Sequence, residues 1–360
     1  MQHRTSIGLD VHARSISAAA LDHETGEVRS ARFGYDAQAV AEWASGLPQP
    51  ARAVYESGPT GFDLARSLTS LGLECGVGAV SKMLRPSGDR VKTDKRDAVF
   101  LARMLAVGNV VEVRIPPAEE EAARDLCRAR ADASFELSRA KLSVSSYLLR
   151  KGLTWDGGTW TRAHRTWLRQ VGLQTEPERM VLDELLARLA ECEARKERLT
   201  ATLVALAGGD AYRGRVAALS CLRGINTVSA FSLLVEVGDF SRFGRAPALA
   251  SFLGLVPSES SSGERVSRGG ITKTGNSHAR KLLVEAAWHH GRPYNPSAPT
   301  GSAAMSAVPP RIAEVAERAN RRLHDRWHHL ESRGKQRCVV TAAVARELAC
   351  WVWAVEAEAR

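Results

Sequence analysis

The sequence has no closely spaced cysteine pair. Its six cysteines, Cys75, Cys127, Cys192, Cys221, Cys338 and Cys350, are scattered over 360 residues, so neither a zinc knuckle nor a thioredoxin-type Cys-x-x-Cys site is indicated. It also lacks an uncharged apolar run of about 18 residues and a basic-then-apolar leader, which argues against a membrane span and a secretory signal. A cytoplasmic protein with no membrane partner is the expectation. Acidic residues are in deficit, 40 against 50 Lys plus Arg, for a formal net charge of +10. Such a surplus favours polyanionic partners without saying what is done to them. What is present suits a folded chain, 44% hydrophobic and 25% charged, and the length favours two or more domains.

Residues 5–11 (TSIGLDV) read as a buried strand with Asp10 near its end. Strands over 16–21 and 28–33 follow, with a hairpin turn in HETGE, and then helix 37–46, strand 52–56, helix 62–71 and strand 75–80. The order predicts a mixed sheet with helices packed against it. Residues 93–107 read as an amphipathic helix with Ala98, Leu101, Ala102 and Leu105 on its apolar face. After Pro116 and Pro117, two long helices carry continuous apolar stripes, one through Leu126, Ala133, Leu137, Val144 and Leu148, the other through Leu182, Leu189, Leu199 and Leu206. The second stripe is interrupted by Lys196, which has to snorkel or pair. Such stripes serve an intramolecular hairpin or a contact between subunits. Around Leu222 to Ile225 (LRGI), a glycine-containing turn between two helices resembles a helix-hairpin-helix, whose exposed amides can hold a phosphate. The predicted parts are an α/β domain over 1–115, a helical coiled-coil region over 116–210 and a mostly α-helical C-terminal domain over 211–360. Residues 292–310 read as a flexible Pro, Ser and Ala segment.

Asp10 and Glu56 each end a strand, and Asp94 and Asp97 lie three apart on one helical face. In a sheet-and-helix domain these remote positions can converge, and four converging carboxylates repel one another unless cations intervene. Hard divalent ions with oxygen ligands answer that need, and Mg²⁺ fits because it keeps waters and accepts phosphate oxygens. Two such ions can activate an attacking oxygen and stabilise a leaving one, which is phosphodiester chemistry. Gly8, Ser57, Gly58 and Gly61 leave room for a substrate. His12 reads equally as a phosphate contact or an exposed side chain. Lys92, Lys95 and Arg96 surround the paired aspartates and suit a nucleic-acid backbone, although a solvated first turn has the same composition.

Two further stretches combine cations with reactive or stacking groups. Trp155, Trp160 and Trp167 are interleaved with Arg162, Arg165 and Arg169, a pattern for base stacking with phosphate contacts or for ordinary packing at a hairpin tip. Ser258, Ser260, Ser261 and Ser262 precede Gly263, with Arg265, Arg268, Lys273, His278, Arg280 and Lys281 downstream. A serine hydroxyl attacks a phosphodiester only with a base or metal and with cations to neutralise the developing charge. From chemistry alone this stretch is a nucleophile site, a phosphate-binding loop or an inert surface loop.

Read in order, the pieces IGLDVH (residues 7–12), YESGPTG (55–61), KTDKRDAVFLARML (92–105), LRGI (222–225) and GDFSRF (238–243) make a recognisable set. They continue with FLGLVPSESSSGERVSRGGITKTGNSHARKLLVEAAW (252–288) and RGKQRCVVTAAVARELACWVWA (333–354). The chain resembles the IS110/IS1111 family of DEDD transposases, the bridge-RNA-guided recombinases. The resemblance implies an RNase H-like (RuvC-like) N-terminal domain whose DEDD set is Asp10, Glu56, Asp94 and Asp97 with Mg²⁺, a coiled coil, and a C-terminal transposase domain. It implies a nucleophilic serine immediately before the glycine, Ser262, with Ser261 the neighbouring alternative. It further implies a serine–DNA intermediate, donor and target DNA as substrates, a noncoding bridge RNA as guide, and homodimers assembling into tetramers. Two other readings fit the residues: a RuvC-like junction endonuclease using water, and a nonenzymatic nucleic-acid-binding protein on a degenerate nuclease fold.

Overall fold

The computed structural model describes residues 3–79, 93–262, 265–295 and 299–359. The chain divides into two compact units, Met1–Pro117 and Ala118–Arg360.

The first unit is built on a five-stranded sheet of β1 (Thr5–Val11), β2 (Ser15–Asp22), β3 (Val28–Gly34), β4 (Ala51–Glu56) and β5 (Glu74–Gly78), in the order β3-β2-β1-β4-β5. The first three strands form an antiparallel meander, and β4 and β5 run parallel to β1. Strand alternation sends Ile7, Leu9 and Ile16 to one face, where they are buried with Val40 of α1 (Ala37–Ser45) and Leu64 and Leu68 of α2 (Asp63–Ser70). The opposite face is covered by α3 (Asp94–Ala106), whose Leu101 and Leu105 pack on Val54. This is the predicted mixed sheet with flanking helices, a topology compatible with an RNase H-like or RuvC-like domain.

The second unit begins with α4 (Ala118–Arg150) and α6 (Glu176–Ala207), which pack as an antiparallel hairpin with α5 (Arg162–Gln170) at its tip. The tip is filled by Val144, Tyr147, Leu148, Leu168 and Leu182, and the seam continues through Leu137, Ala140 and Leu189. Thr175 starts α6 with a capping box that also uses Glu178. Where the stripe is interrupted, half-buried Lys196 lines a cleft of about 870 Å³ between the helices, together with Arg130, Lys141 and Glu193. The remaining helices are α7 (Arg213–Ser220), α8 (Thr227–Val237), α9 (Ala246–Phe252), α10 (Ser277–Ala287), α11 (Pro299–Ser306), α12 (Pro310–Ser332) and α13 (Arg337–Ala359). They surround one core to which α13 contributes Val340, Val344, Leu348, Val352 and Val355. By length and composition α13 could cross a membrane, but these residues are packed against α12, α10, α9 and α7.

Two stretches depart from the sequence-based expectation. Residues 257–271, read as part of a polar glycine-rich loop, form an antiparallel hairpin of β6 (Pro257–Ser262) and β7 (Arg265–Ile271). Serine and glycine have low strand propensity, so cross-strand pairing and not local preference makes these strands. The segment over 292–310, read as flexible, contains α11, where Ala303, Ala304 and Met305 are good helix formers.

Candidate metal centre and serine hairpin

The two strand-borne acids are neighbours because β1 and β4 are parallel with Leu9 opposite Tyr55, so Asp10 and Glu56 follow one step later at the same end. Alternation places both on the face of Val54, the face that α3 covers. Gly8 explains how close the helix comes. A β-carbon at Gly8 would stand 2.1 Å from the Ala98 carbonyl oxygen and 2.4 Å from the Ala102 nitrogen. With no side chain there, α3 lies directly on β1 and its first turn, carrying Asp94 and Asp97, reaches the Asp10 end. Gly8 therefore serves helix packing, not substrate approach as the sequence suggested. Thr93 caps this turn by accepting from the Arg96 N–H.

At the meeting point, His12 Nε2 is 3.2 Å from Asp10 Oδ2 and 3.7 Å from Asp94 Oδ1. Asp10, His12 and Asp94 each offer a ligand atom, all within 4.8 Å of one another. The Asp10 side chain is 21% exposed, Asp94 48% and His12 56%, so the group opens to solvent and to a substrate. Burial pushes the Asp10 carboxyl above its usual range, and the charges of Asp94 and Asp97 add to that, while His12 works against it. A partly buried carboxylate facing two others favours a divalent cation, and two aspartate oxygens with an imidazole are an acceptable donor set. The donor set thus fits a divalent ion, and its carboxylate oxygens suit Mg²⁺. Asp97 is near enough for its charge to act on Asp10, and Glu56 stands at the same strand end as Asp10. Sequence reasoning left His12 undecided. Its signal was the i, i+2 spacing from Asp10, one residue past the end of β1, which lets extended backbone turn both side chains to the same side.

The serine stretch is held on β6, and Ser262 pairs with Arg265 at the far end of the hairpin. Ser258, at the near end, donates its hydroxyl to the Gly270 carbonyl at 3.1 Å. The side chains of Ser261, Ser262, Arg265 and Arg268 lie outside the described residues, as does Lys92.

Residues 7–151 match the family model for DEDD transposases of the IS110 type, described as a transposase, and residues 216–299 match the model for the IS116/IS110/IS902 transposase family. The chain is 39% identical over 307 residues to a putative transposase, y4qE, of Sinorhizobium fredii, which covers 85% of this chain and 75% of that protein. The chain belongs to the IS116/IS110/IS902 transposase family. A transposase for insertion sequence element IS1533 of Leptospira borgpetersenii is 28% identical over 354 residues, 93% of this chain and 99% of that one. A transposase for element IS1111A of Coxiella burnetii is 35% identical over 120 residues, 32% and 31% of the two chains. With the acidic centre described above, this family member is a metal-dependent transposase or recombinase-type enzyme that processes nucleic acid.

The transposase distributes its predicted contact residues unevenly. Lys95, Arg96, Arg162 and Lys273 are exposed. Lys281 is exposed too, 3.8 Å from Glu285. Arg165 instead makes a two-point ion pair with Glu193 at 2.9 and 2.5 Å. Trp155, Trp160 and Trp167 gather round the buried His164 at ring distances of 5.2 to 5.7 Å, so these tryptophans pack the hairpin tip. Arg280 donates from Nη1 to the carbonyls of Leu253 and Thr274 at 2.9 and 2.8 Å. The LRGI turn does join α7 to α8, with Gly224 at φ +87°. Its backbone faces inward, however: the Arg223 N–H donates to Asn320 Oδ1 at 2.8 Å, and a β-carbon at Gly224 would stand 2.4 Å from the Ala286 carbonyl oxygen.

Proposed function

We propose that this transposase excises and inserts an insertion-sequence element by cleaving and rejoining DNA through a serine–DNA intermediate, guided by a noncoding bridge RNA. The observation that carries the reading is the convergence of Asp10, His12 and Asp94 in a chain that matches the family models in both its first and its second unit. Asp10, Glu56, Asp94 and Asp97 would hold the metal, with His12 as an added ligand. When bound, Mg²⁺ supplies charge neutralisation at the scissile phosphate and lowers the pKa of the attacking hydroxyl. Ser262 Oγ forms a bond to phosphorus, its proton passes to solvent, and the bond from phosphorus to one deoxyribose oxygen breaks. That oxygen leaves and takes up a proton. The phosphoserine keeps the second ester bond, so a strand hydroxyl can attack it and regenerate the serine without outside energy.

The three functional parts in this reading are the DEDD domain over 1–115, the coiled-coil oligomerisation region over 116–210 and the serine-bearing domain over 211–360. Lys92, Lys95, Arg96, Arg162, Arg265, Arg268, Lys273 and Lys281 form the contact set for donor DNA, target DNA and RNA, whereas Arg165 and Arg280, also expected there from the sequence, are taken up by Glu193 and by the Leu253 and Thr274 carbonyls. Sequence choice resides in base pairing, and the protein reads duplex shape and backbone charge. Homodimers assemble into tetramers that bring two DNA segments together in the cytoplasm.

A second reading is favoured by the acidic centre taken alone. Asp10, His12 and Asp94 suffice to hold an ion that activates water, which makes the protein a RuvC-like metal-dependent endonuclease with the serine stretch only binding phosphate. Incubating purified protein with Mg²⁺, its flanking noncoding RNA and donor and target DNA separates the two. A DNA adduct mapped to Ser262 by mass spectrometry is the expected result. Cleavage without any adduct establishes hydrolysis, and an adduct at Ser261 moves the nucleophile by one residue.

A further inference from the structure

One buried carboxylate takes no part in this chemistry. Glu236, on α8, has a side chain with no exposure to solvent. Arg128 of α4 donates to it at two points, Nε to Oε1 at 2.8 Å and Nη2 to Oε2 at 2.9 Å. Asn276 donates from Nδ2 to Oε2 at 2.6 Å and to the Glu236 carbonyl at 3.3 Å, while its own Oδ1 accepts from the Ala279 N–H and caps α10. Burial acts to raise the Glu236 pKa, but the hydrogen bonds from Arg128 and Asn276 outweigh it and hold the carboxyl below its usual range. The group is ionised and fully partnered.

Asn276 also ends the short loop through which the chain leaves β7, and that loop is fixed from several sides. Thr272 N–H donates to the Val256 carbonyl at 2.9 Å and Lys273 N–H to the Gly254 carbonyl at 3.1 Å, so the segments entering β6 and leaving β7 are tied together. Gly275, at φ +69°, leaves no room for a β-carbon, which would stand 1.9 Å from the Phe252 carbonyl oxygen. Arg280 clamps the carbonyls of Leu253 and Thr274 from below. Of the residues at the base of the serine hairpin, Asn276 is the one that joins this loop to the Glu236 carboxylate, itself held by Arg128 of α4.

A buried ion pair is a poor source of stability, because replacing it with apolar groups of similar size is often neutral or stabilising. What such a pair supplies is direction, since it accepts only one arrangement of donors. The geometry points to Glu236, with Arg128 and Asn276, as positioning residues for strand cleavage: they fix the base of the β6–β7 hairpin, and with it the backbone position of Ser262 at the far end. This rests on the serine reading above.

The test compares the full-length wild type with Arg128→Met/Glu236→Leu and with Glu236→Gln, using Mg²⁺, the flanking RNA and donor DNA. The double variant melts no lower than the wild type, and the DNA concentration at half-maximal rate shifts by less than about twofold, while adduct formation at saturating DNA slows by about tenfold or more. Glu236→Gln, which keeps one acceptor, recovers part of that rate. Wild-type rates in the double variant, or a loss that vanishes once rates are divided by the folded fraction, overturn the assignment. Hydrogen exchange on the same variants reads the hairpin by itself. Faster exchange confined to residues 257–276 supports the positioning role, and unchanged exchange there overturns it. If the wild type forms no adduct, the serine reading fails in that lane and the exchange result still decides the role of Glu236.

Discussion

The two units each gather carboxylate chemistry, but they finish it differently. In the first, Asp10 and Asp94 meet in a partly exposed group where, among the described residues, His12 is the cation seen beside both and the charges of Asp94 and Asp97 still act against the Asp10 carboxylate. In the second, Glu236 is enclosed and has donors on both oxygens. An acidic group that a fold leaves incompletely neutralised is available to bind something else, whereas one that the fold completes is available only to hold its surroundings. Burial alone does not distinguish a reactive site from a structural one; the count of unmet charges does.

The comparison breaks first at Asp10. Asp10→Asn is expected to slow Mg²⁺-dependent strand cleavage by about a thousandfold or more, the several kcal/mol of charge stabilisation that the ion supplies. In metal-free buffer the same variant melts at or above the wild-type temperature, because it removes repulsion. Cleavage retained in a gel assay, or a clear drop in melting temperature, would place Asp10 on the structural side. The mirror experiment is Arg128→Ala, which strands a buried carboxylate and is expected to cost about 3 kcal/mol in denaturant unfolding. A near-neutral result would show that Glu236 is not held as a charge.

Gly8→Ala tests whether the open centre depends on the closeness of α3. Overpacking against the Ala98 carbonyl is expected to cost about 3 kcal/mol and to weaken the rise in melting temperature that Mg²⁺ gives the wild type. An unchanged Mg²⁺ response would mean that α3 need not lie so near. An effect read only in acid concerns His290, whose ring is fully buried with no hydrogen-bond partner among the described residues. Burial first, and then the charge of Arg223, lowers its pKa from 6.5 to about 3. A histidine depressed in this way contributes stability that is present above pH 6.5 and is lost as pH falls toward 3, with a slope of about 1.4 kcal/mol per pH unit. Leucine at this position is expected to flatten the acid limb of an unfolding series relative to the wild type. The smallest contrast is between two cations: Arg165→Ala lowers stability by roughly 1 kcal/mol or less and leaves duplex affinity alone, while Lys273→Ala leaves stability alone and reduces the salt dependence of binding by just under one counterion. Equal effects of the two on a salt titration would erase that distinction.

Much of the first unit was legible because strands and amphipathic helices announce themselves by period. The end positions of Asp10 and Glu56 followed from the strand assignments, and those of Asp94 and Asp97 from the helix. What the sequence could not convey was proximity. That Gly8 answers to Ala98, ninety residues on, is a property of packing, and periodicity carries no such pairing. The same holds for Arg165 and Arg280, which look like any exposed cation until Glu193 and the carbonyls of Leu253 and Thr274 are beside them. The β6–β7 hairpin was hidden for a different reason: its serines and glycines are the residues of loops, and only pairing across the turn makes them strands.

The long hairpin has a consequence for distance. With 33 and 32 residues in α4 and α6, it measures about 50 Å from root to tip, comparable to about fifteen base-pair steps of duplex DNA. Removing seven residues from each helix would withdraw the tip by roughly 10 Å while each seam residue kept its facing partner type. The hairpin is in that sense a ruler, whose length can be reset in heptad steps without redesigning either end.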